Sequence, residues 1–122
     1  MLKKVAFTMY PVTDVARARG FYEGALGLEP GLVGAQGGMH WIEYDLPGGG
    51  CFALTNATED APSSAAGGTV AFEVEDLDRL IADLRAKSVE FKTDVIRGPK
   101  CRMIVCVDTE GNSVLLHQHD RS

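Results

Sequence analysis

Glu73 and His117 are the side chains of this 122-residue sequence best suited to acid–base chemistry. Each lies in an alternating apolar stretch, Glu73 in TVAFEVE and His117 in SVLLHQ. Imidazole titrates near neutrality, and a carboxylate on an apolar wall is expected to have a raised pKa, so the pair has the makings of a proton shuttle. The plainer alternative makes Glu73 a solvated strand-end residue and places His117 in a fraying C-terminus with His119. Trp41 and Glu43 share one side of another alternating stretch. The indole can stack on a planar ligand and the carboxylate can neutralise a cationic one; otherwise Trp41 is core and Glu43 is a rim carboxylate hydrogen-bonded to backbone. Arg102 falls on an opposite face near a strand end, placed to reach an anionic ligand or simply to sit at the surface. His40, beside Gly37 and Gly38, is expected to be exposed. Cys51, Cys101 and Cys106 form no CxxC pair, and the spacing of the last two is poor for zinc. They read as reduced, small buried hydrophobes. No phosphate-binding loop, dinucleotide fingerprint or nucleophile elbow is present, and Gly48-Gly-Gly50 reads as a turn rather than a phosphate cradle.

The elements that position these side chains follow from periodicity. A strand is predicted over 4–12, then a helix over 15–25 capped by Asp14, with Val15, Ala18, Phe21, Tyr22 and Leu26 as its apolar stripe. Gly20 weakens its middle and Gly27 stops it. A short strand over 28–34, a loop over 35–38, a strand over 39–46 and a glycine turn lead to a returning strand over 51–55. Residues 56–68 (NATEDAPSSAAGG) have linker composition. The pattern then recurs: a strand over 69–75, a cap at Asp76, and a helix striped by Leu77, Leu80, Ile81 and Leu84 that ends near Lys87. A strand over 89–96, a loop over 97–99, and strands over 101–107 and 113–118 complete it. The last two are joined by a turn in which Gly111-Asn112 suits positive φ.

Asp14 and Asp76 stand 62 residues apart, and Val12-Thr-Asp14 matches Val74-Glu-Asp76. The chain is therefore an internal repeat of two βαβββ units in the α+β class. Repeat 1 covers about 1–56, the linker about 57–68 and repeat 2 about 69–122, within a single domain. Each sheet is expected to curve with its helix on the outer face. The inner faces then carry Phe7, Met9, Trp41, Glu43 and Ala53 from the first repeat, and Thr69, Ala71, Glu73, Met103, Val105, Leu115 and His117 from the second. A 45% hydrophobic content suffices for one core. A net charge of −5 argues against nucleic acid or an anionic membrane as partner. No apolar run reaches the length of a bilayer span, and MLKKVAFTMYP reads as a first strand rather than a signal peptide. With its unpaired cysteines, the protein is expected to be cytoplasmic.

PVTD (11–14), FYEGALGL (21–28), VAFEVEDLD (70–78) and DTEGNSVLL (108–116) resemble the vicinal oxygen chelate superfamily. This superfamily includes glyoxalase I, bleomycin-resistance proteins, extradiol dioxygenases and fosfomycin-resistance enzymes. The resemblance covers essentially the whole chain and implies a small-molecule cleft lined by the inner strand faces. It also implies a homodimer, swapped or unswapped, as is common in the superfamily. Its metal-using members take ligands from four positions, which fall here on Phe7, on Ala53 or Leu54, on Thr69 and on Leu115. Such a set lacks the imidazole, carboxylate or thiolate that a divalent ion needs. The expectation is a protein with no metal at those positions and no cofactor. It would bind a small, partly apolar or aromatic molecule through Phe7, Met9, Trp41, Glu43, Thr69, Met103, Val105 and Leu115, with Glu43, Glu73 and His117 orienting the guest. Three alternatives stay open: a metal-independent isomerase or lyase with Glu73 or His117 as base, a metalloenzyme using His117, Glu73 and Glu43, and a structural dimer module with an occluded cleft.

Overall fold

The computed structural model describes residue 1 and residues 3–120. The chain divides into two compact units, Met1–Pro62 and Ser63–Ser122. The boundary falls in the segment of linker composition.

The first unit runs β1 (Thr8–Pro11), α1 (Val15–Arg19) continued by a π-helix (Gly20–Ala25), β2 (Val33–Gln36), β3 (Met39–Asp45) and β4 (Cys51–Thr55). Its sheet order is β1-β4-β3-β2, with β1 parallel to β4 and the other pairs antiparallel. The second unit runs β5 (Val70–Glu73), α2 (Leu77–Ala86), β6 (Glu90–Phe91), β7 (Ile96–Gly98), β8 (Cys101–Val107) and β9 (Ser113–His119). Its order is β5-β9-β8-β6, and β7 also pairs with β8, so β6 and β7 form one broken edge strand. Each unit is thus βαβββ with one topology, an α+β arrangement.

Both helices start as the sequence requires. The Asp14 carboxylate accepts the Arg17 N–H at 3.0 Å, and that of Asp76 accepts the Arg79 N–H at 3.1 Å. Each satisfies a donor of the first turn that has no partner within the helix. The 62-residue offset also holds at the hairpins. Leu46 N–H bonds Gly50 O just as Asp108 N–H bonds Asn112 O, and Gly49 N–H bonds Leu46 O as Gly111 N–H bonds Asp108 O. Gly49 and Gly111 have φ of 110° and 99°, a region that favours glycine.

Between caps and hairpins the offset slips by one residue and recovers. In the first helix Leu26 N–H reaches back to Phe21 O, a five-residue bond that absorbs one extra residue from Gly20 onward. The left-handed residues that end the helices, Gly27 (φ 74°) and Ser88 (φ 61°), are consequently 61 apart. The second unit regains the residue in its edge strand. There the Lys92 N–H bonds Val105 O and the Val105 N–H turns to the Thr93 hydroxyl, 3.1 Å away, instead of to a carbonyl. This bulge is why the single strand expected over 89–96 is two short pieces, and why Arg97 and Gly98, expected in a loop, are paired. Three further departures are local. β1 is shorter than 4–12, the strand expected over 28–34 begins only at Val33, and β2 takes in Ala35 and Gln36.

Strand alternation sorts the side chains. In the first sheet Tyr10, Ile42, Tyr44, Phe52 and Leu54 are buried with Ala18, Phe21 and Tyr22 of the helix. In the second, Phe72, Ile104, Cys106, Val114 and Leu116 are buried with Leu77, Ile81 and Leu84. Each large side chain so buried contributes about 1.5–3 kcal/mol. The opposite faces carry the candidate site residues.

Candidate functional site

In the first unit, Met9, Ala53 and Glu43 stand side by side on adjacent strands, and Trp41 is cross-strand from Thr55. That pairing puts Ala53 on the side of Met9 and Glu43 and Leu54 on the other, though both are wholly buried. Phe7 and Met9 are exposed. The Phe7 ring meets Trp41 edge-on with centroids 5.2 Å apart, and the Trp41 indole N–H donates to Glu43 Oε2 at 2.7 Å. Glu43 is therefore tied to an indole, not to backbone as one expectation had it. A hollow of about 300 Å³ opens beside this group, lined among others by Lys4, Phe7, Glu43, Asp45 and Cys51. His40 is half-buried, its backbone held by the Asn56 and Thr55 side chains.

In the second unit, Ala71 pairs with Leu115 and Glu73 with His117, while Val105 and Met103 are cross-strand from Leu115 and His117. Met103, Val105, Leu115 and His117 are half-buried on this face. Thr69 precedes β5 and is exposed. Strand pairing brings Glu73 Oε1 to 2.6 Å from His117 Nδ1. His119 belongs to the same group. Its backbone N–H donates to Glu73 Oε2 at 2.8 Å, and its Nε2 stands 3.7 Å from Oε1. The His117 ring, and next to it the His119 N–H, hold the Glu73 carboxyl below its ordinary pKa. The expectation of a raised value is thus overturned. The carboxylate is partly solvated and hydrogen-bonded to donors rather than set against an apolar wall. It is a poor base but a good orienting partner for an imidazole.

The sequence places His119 only in a fraying C-terminus beside His117, whereas β9 runs through it. The signal was present: in HQH, alternation puts both imidazoles on one side once β9 includes the second. Donor atoms of Glu73, His117 and His119 all lie within 4.8 Å of one another, so this is a group able to hold a metal ion. A shallow hollow of about 330 Å³ adjoins it, lined by Glu73, Val74, Glu75, Gln118 and His119.

Several other polar groups have structural partners. Arg102 turns toward α2 and pairs with Asp78 at 2.8 and 3.4 Å, at the surface. Arg19, Glu23 and the buried Tyr44 form a chain, with the tyrosine O–H donating to Glu23 at 2.9 Å. Burial, then the Glu23 carboxylate, push the Tyr44 phenol up. Burial pushes the Cys106 thiol up to about 12, as befits an inert core thiol. Ser113, on the open face by alternation, is buried because its hydroxyl donates to Ser64 O and the Lys92 ammonium reaches the same carbonyl. Among the described residues no helix is long and apolar enough to cross a membrane.

The fold is shared with solved structures. An antibiotic binding protein, TnmS3 from Streptomyces sp. CB03234, superposes with a TM-score of 0.81 at 21% identity over 98% of each chain. A glyoxalase/bleomycin resistance protein/dioxygenase superfamily member from Sphaerobacter thermophilus gives 0.80 at 22% identity, over 97% of this chain and 98% of its own. The fosfomycin resistance protein FosX from Listeria monocytogenes gives 0.75 at 16% identity, over 97% and 94%. No curated protein matches the sequence. The family model for the Glyoxalase/Bleomycin resistance protein/Dioxygenase superfamily matches residues 4–116, nearly the whole chain. The chain belongs to the glyoxalase/bleomycin resistance protein/dioxygenase superfamily.

Proposed function

We propose that this protein binds a small, partly apolar or aromatic molecule, and does so without an ion at the four positions that the superfamily's metal-using members employ. The observation that carries the reading is the contrast between the two faces of each sheet. One is closed by a helix, while the other leaves Phe7, Met9 and Trp41, or Met103, Val105 and Leu115, partly open to solvent beside a few polar groups. Open apolar side chains with sparse, fixed polar groups suit small-molecule recognition. Glu43 braces Trp41, while Glu73 and His117 offer the polar contacts. At the ligand positions stand Phe7, Ala53, Thr69 and Leu115. A phenyl, a methyl and an isobutyl group have no lone pair to give, and one hydroxyl is too weak alone. TnmS3, described as an antibiotic binding protein, lends the reading support as a relative in fold. The protein is proposed to be cytoplasmic and a homodimer, and light scattering on the purified chain would test the dimer.

Trp41 is the only tryptophan, so its emission reports directly on the first unit's open face. A metabolite and antibiotic library is screened by native mass spectrometry, and hits are titrated by fluorescence. Saturable binding that Met9→Ala or Met103→Ala weakens supports the reading; no saturable hit, or hits whose affinity neither substitution changes, overturns it.

The 2.6 Å contact between Glu73 and His117 favours a second reading, metal-independent isomerase or lyase chemistry. In it His117 is the base and Glu73 orients the ring. If His117→Gln abolishes turnover of a bound compound while its affinity survives, the protein is an enzyme and not a simple binder.

A further inference from the structure

We propose that Glu73, His117 and His119 form a binding site for a late first-row divalent ion such as Zn²⁺, Ni²⁺ or Co²⁺. Two imidazoles and a carboxylate are a donor set such ions favour, and three protein ligands leave coordination positions for water or a guest oxygen. The site is separate from the superfamily's ligand positions. It lies two residues further along β9 than Leu115 and four residues beyond Thr69, and it does not rest on the binding reading above.

Three features support it. Convergence comes first: the cross-strand pairing of Glu73 with His117 and the alternation of β9 bring the donor atoms within 4.8 Å of one another. Donors at zinc distances of about 2.0–2.2 Å can stand at most about 4.4 Å apart, so a small rotation closes the group on an ion. Solvent rather than packing surrounds the side chains that must adjust, 52% exposed at Glu73 and 74% at His119. Orientation is the second feature. The His119 N–H fixes Glu73 Oε2, aiming Oε1 at the two rings in the manner of an outer-shell contact. Access is the third, since the hollow beside the group admits an ion and its waters. An ion bound here takes the place of the direct contact between His117 Nδ1 and Glu73, so it excludes the acid–base role of His117. In the first unit the residues 62 positions earlier are Pro11, Thr55 and Ala57, which cannot build such a site.

The test uses the untagged full chain, stripped with chelator and titrated with Co²⁺ alone. Visible absorption should show saturable binding of one ion per chain, displaced by Zn²⁺. Glu73→Gln and His119→Ala should each weaken it by about tenfold or more. His117→Ala combined with His119→Ala should abolish it, and His40→Ala should leave it unchanged. Paramagnetic broadening of amide resonances should centre on residues 73 and 117–119. Circular dichroism confirms that each variant is folded, and His119→Ala, at an exposed side chain, keeps the test valid if His117→Ala unfolds. No saturable Co²⁺ or Zn²⁺ binding at millimolar ion, or equal affinity in wild type and His119→Ala, would overturn the proposal. No organic ligand is present, so failure here leaves the binding reading standing.

Discussion

The two units share a topology and a capping aspartate but differ in what fills and decorates it. The first has an aromatic core in which the Tyr10, Tyr22 and Tyr44 rings lie 5.3, 5.0 and 6.3 Å from the Phe52 ring. The second is packed mainly with Leu, Ile and Val. On the open faces the first unit carries a Phe7–Trp41–Glu43 group and the second a carboxylate between two imidazoles. The backbones differ too, each absorbing one extra residue in a different place. A repeat therefore fixes where side chains point, not what they do. The π turn is consistent with the aromatic core, since a wider turn brings consecutive side chains such as Phe21 and Tyr22 closer to one face, and both are buried.

The sharpest way to break the comparison is to delete a residue from each helix. Deleting Ala82 from α2 rotates the fully buried Leu84 off the core, and a loss of about 3–5 kcal/mol or outright unfolding is expected. Deleting the exposed Gly24 lets the π turn become an ordinary helix and should cost less than about 2 kcal/mol. Urea denaturation would rank them, and equal losses would dispose of the extra-residue account.

Next in size is Asp108→Ala. The buried Asp108 carboxylate accepts the Glu110 and Asn112 N–H groups and the Asn112 amide, all at 2.8–3.1 Å. Its loss should destabilise by roughly 3 kcal/mol. The matching Leu46 is half-buried in a hairpin held by glycines, and Leu46→Ala should cost under about 1.5 kcal/mol.

At the helix ends, Ser88→Gly should stabilise the protein by roughly 0.5–1 kcal/mol, because a left-handed conformation costs a side-chain-bearing residue and not glycine. Gly27→Ser should do the reverse. A thermal melt showing no gain for Ser88→Gly would mean that the serine is compensated locally.

The smallest effect concerns acid. The Glu23 carboxyl is held low by Arg19, burial opposing, and the Glu73 carboxyl by His117. A carboxyl depressed in the folded state stabilises fully above its unfolded pKa of about 4.3 and loses that contribution as pH falls through the folded value. Glu23→Gln and Glu73→Gln should each cost under about 1 kcal/mol at neutral pH, since both side chains keep some solvent contact, and nothing in strong acid. Stability curves parallel to wild type at every pH would refute the assignment.

Much of the fold was legible in the sequence because its signals are local. Asp14 and Asp76 cap, Gly27 stops a helix, and apolar alternation assigns Met9, Trp41 and Glu43 to one face and Ile42 and Tyr44 to the other. Glu73 and His117 were legible as candidates by residue type and parity. Only the tertiary structure decided that Ala53 and not Leu54 shares that face, because register across a glycine turn is set by pairing with Met9 and Glu43. It also decided that Arg102 belongs to Asp78, that Glu73 is a low-pKa partner and not a raised base, and that His119 completes the group. The physical reason is common to all four. Side-chain type and parity travel along the chain, but distances and electrostatics arise only when strands far apart in sequence are hydrogen-bonded side by side.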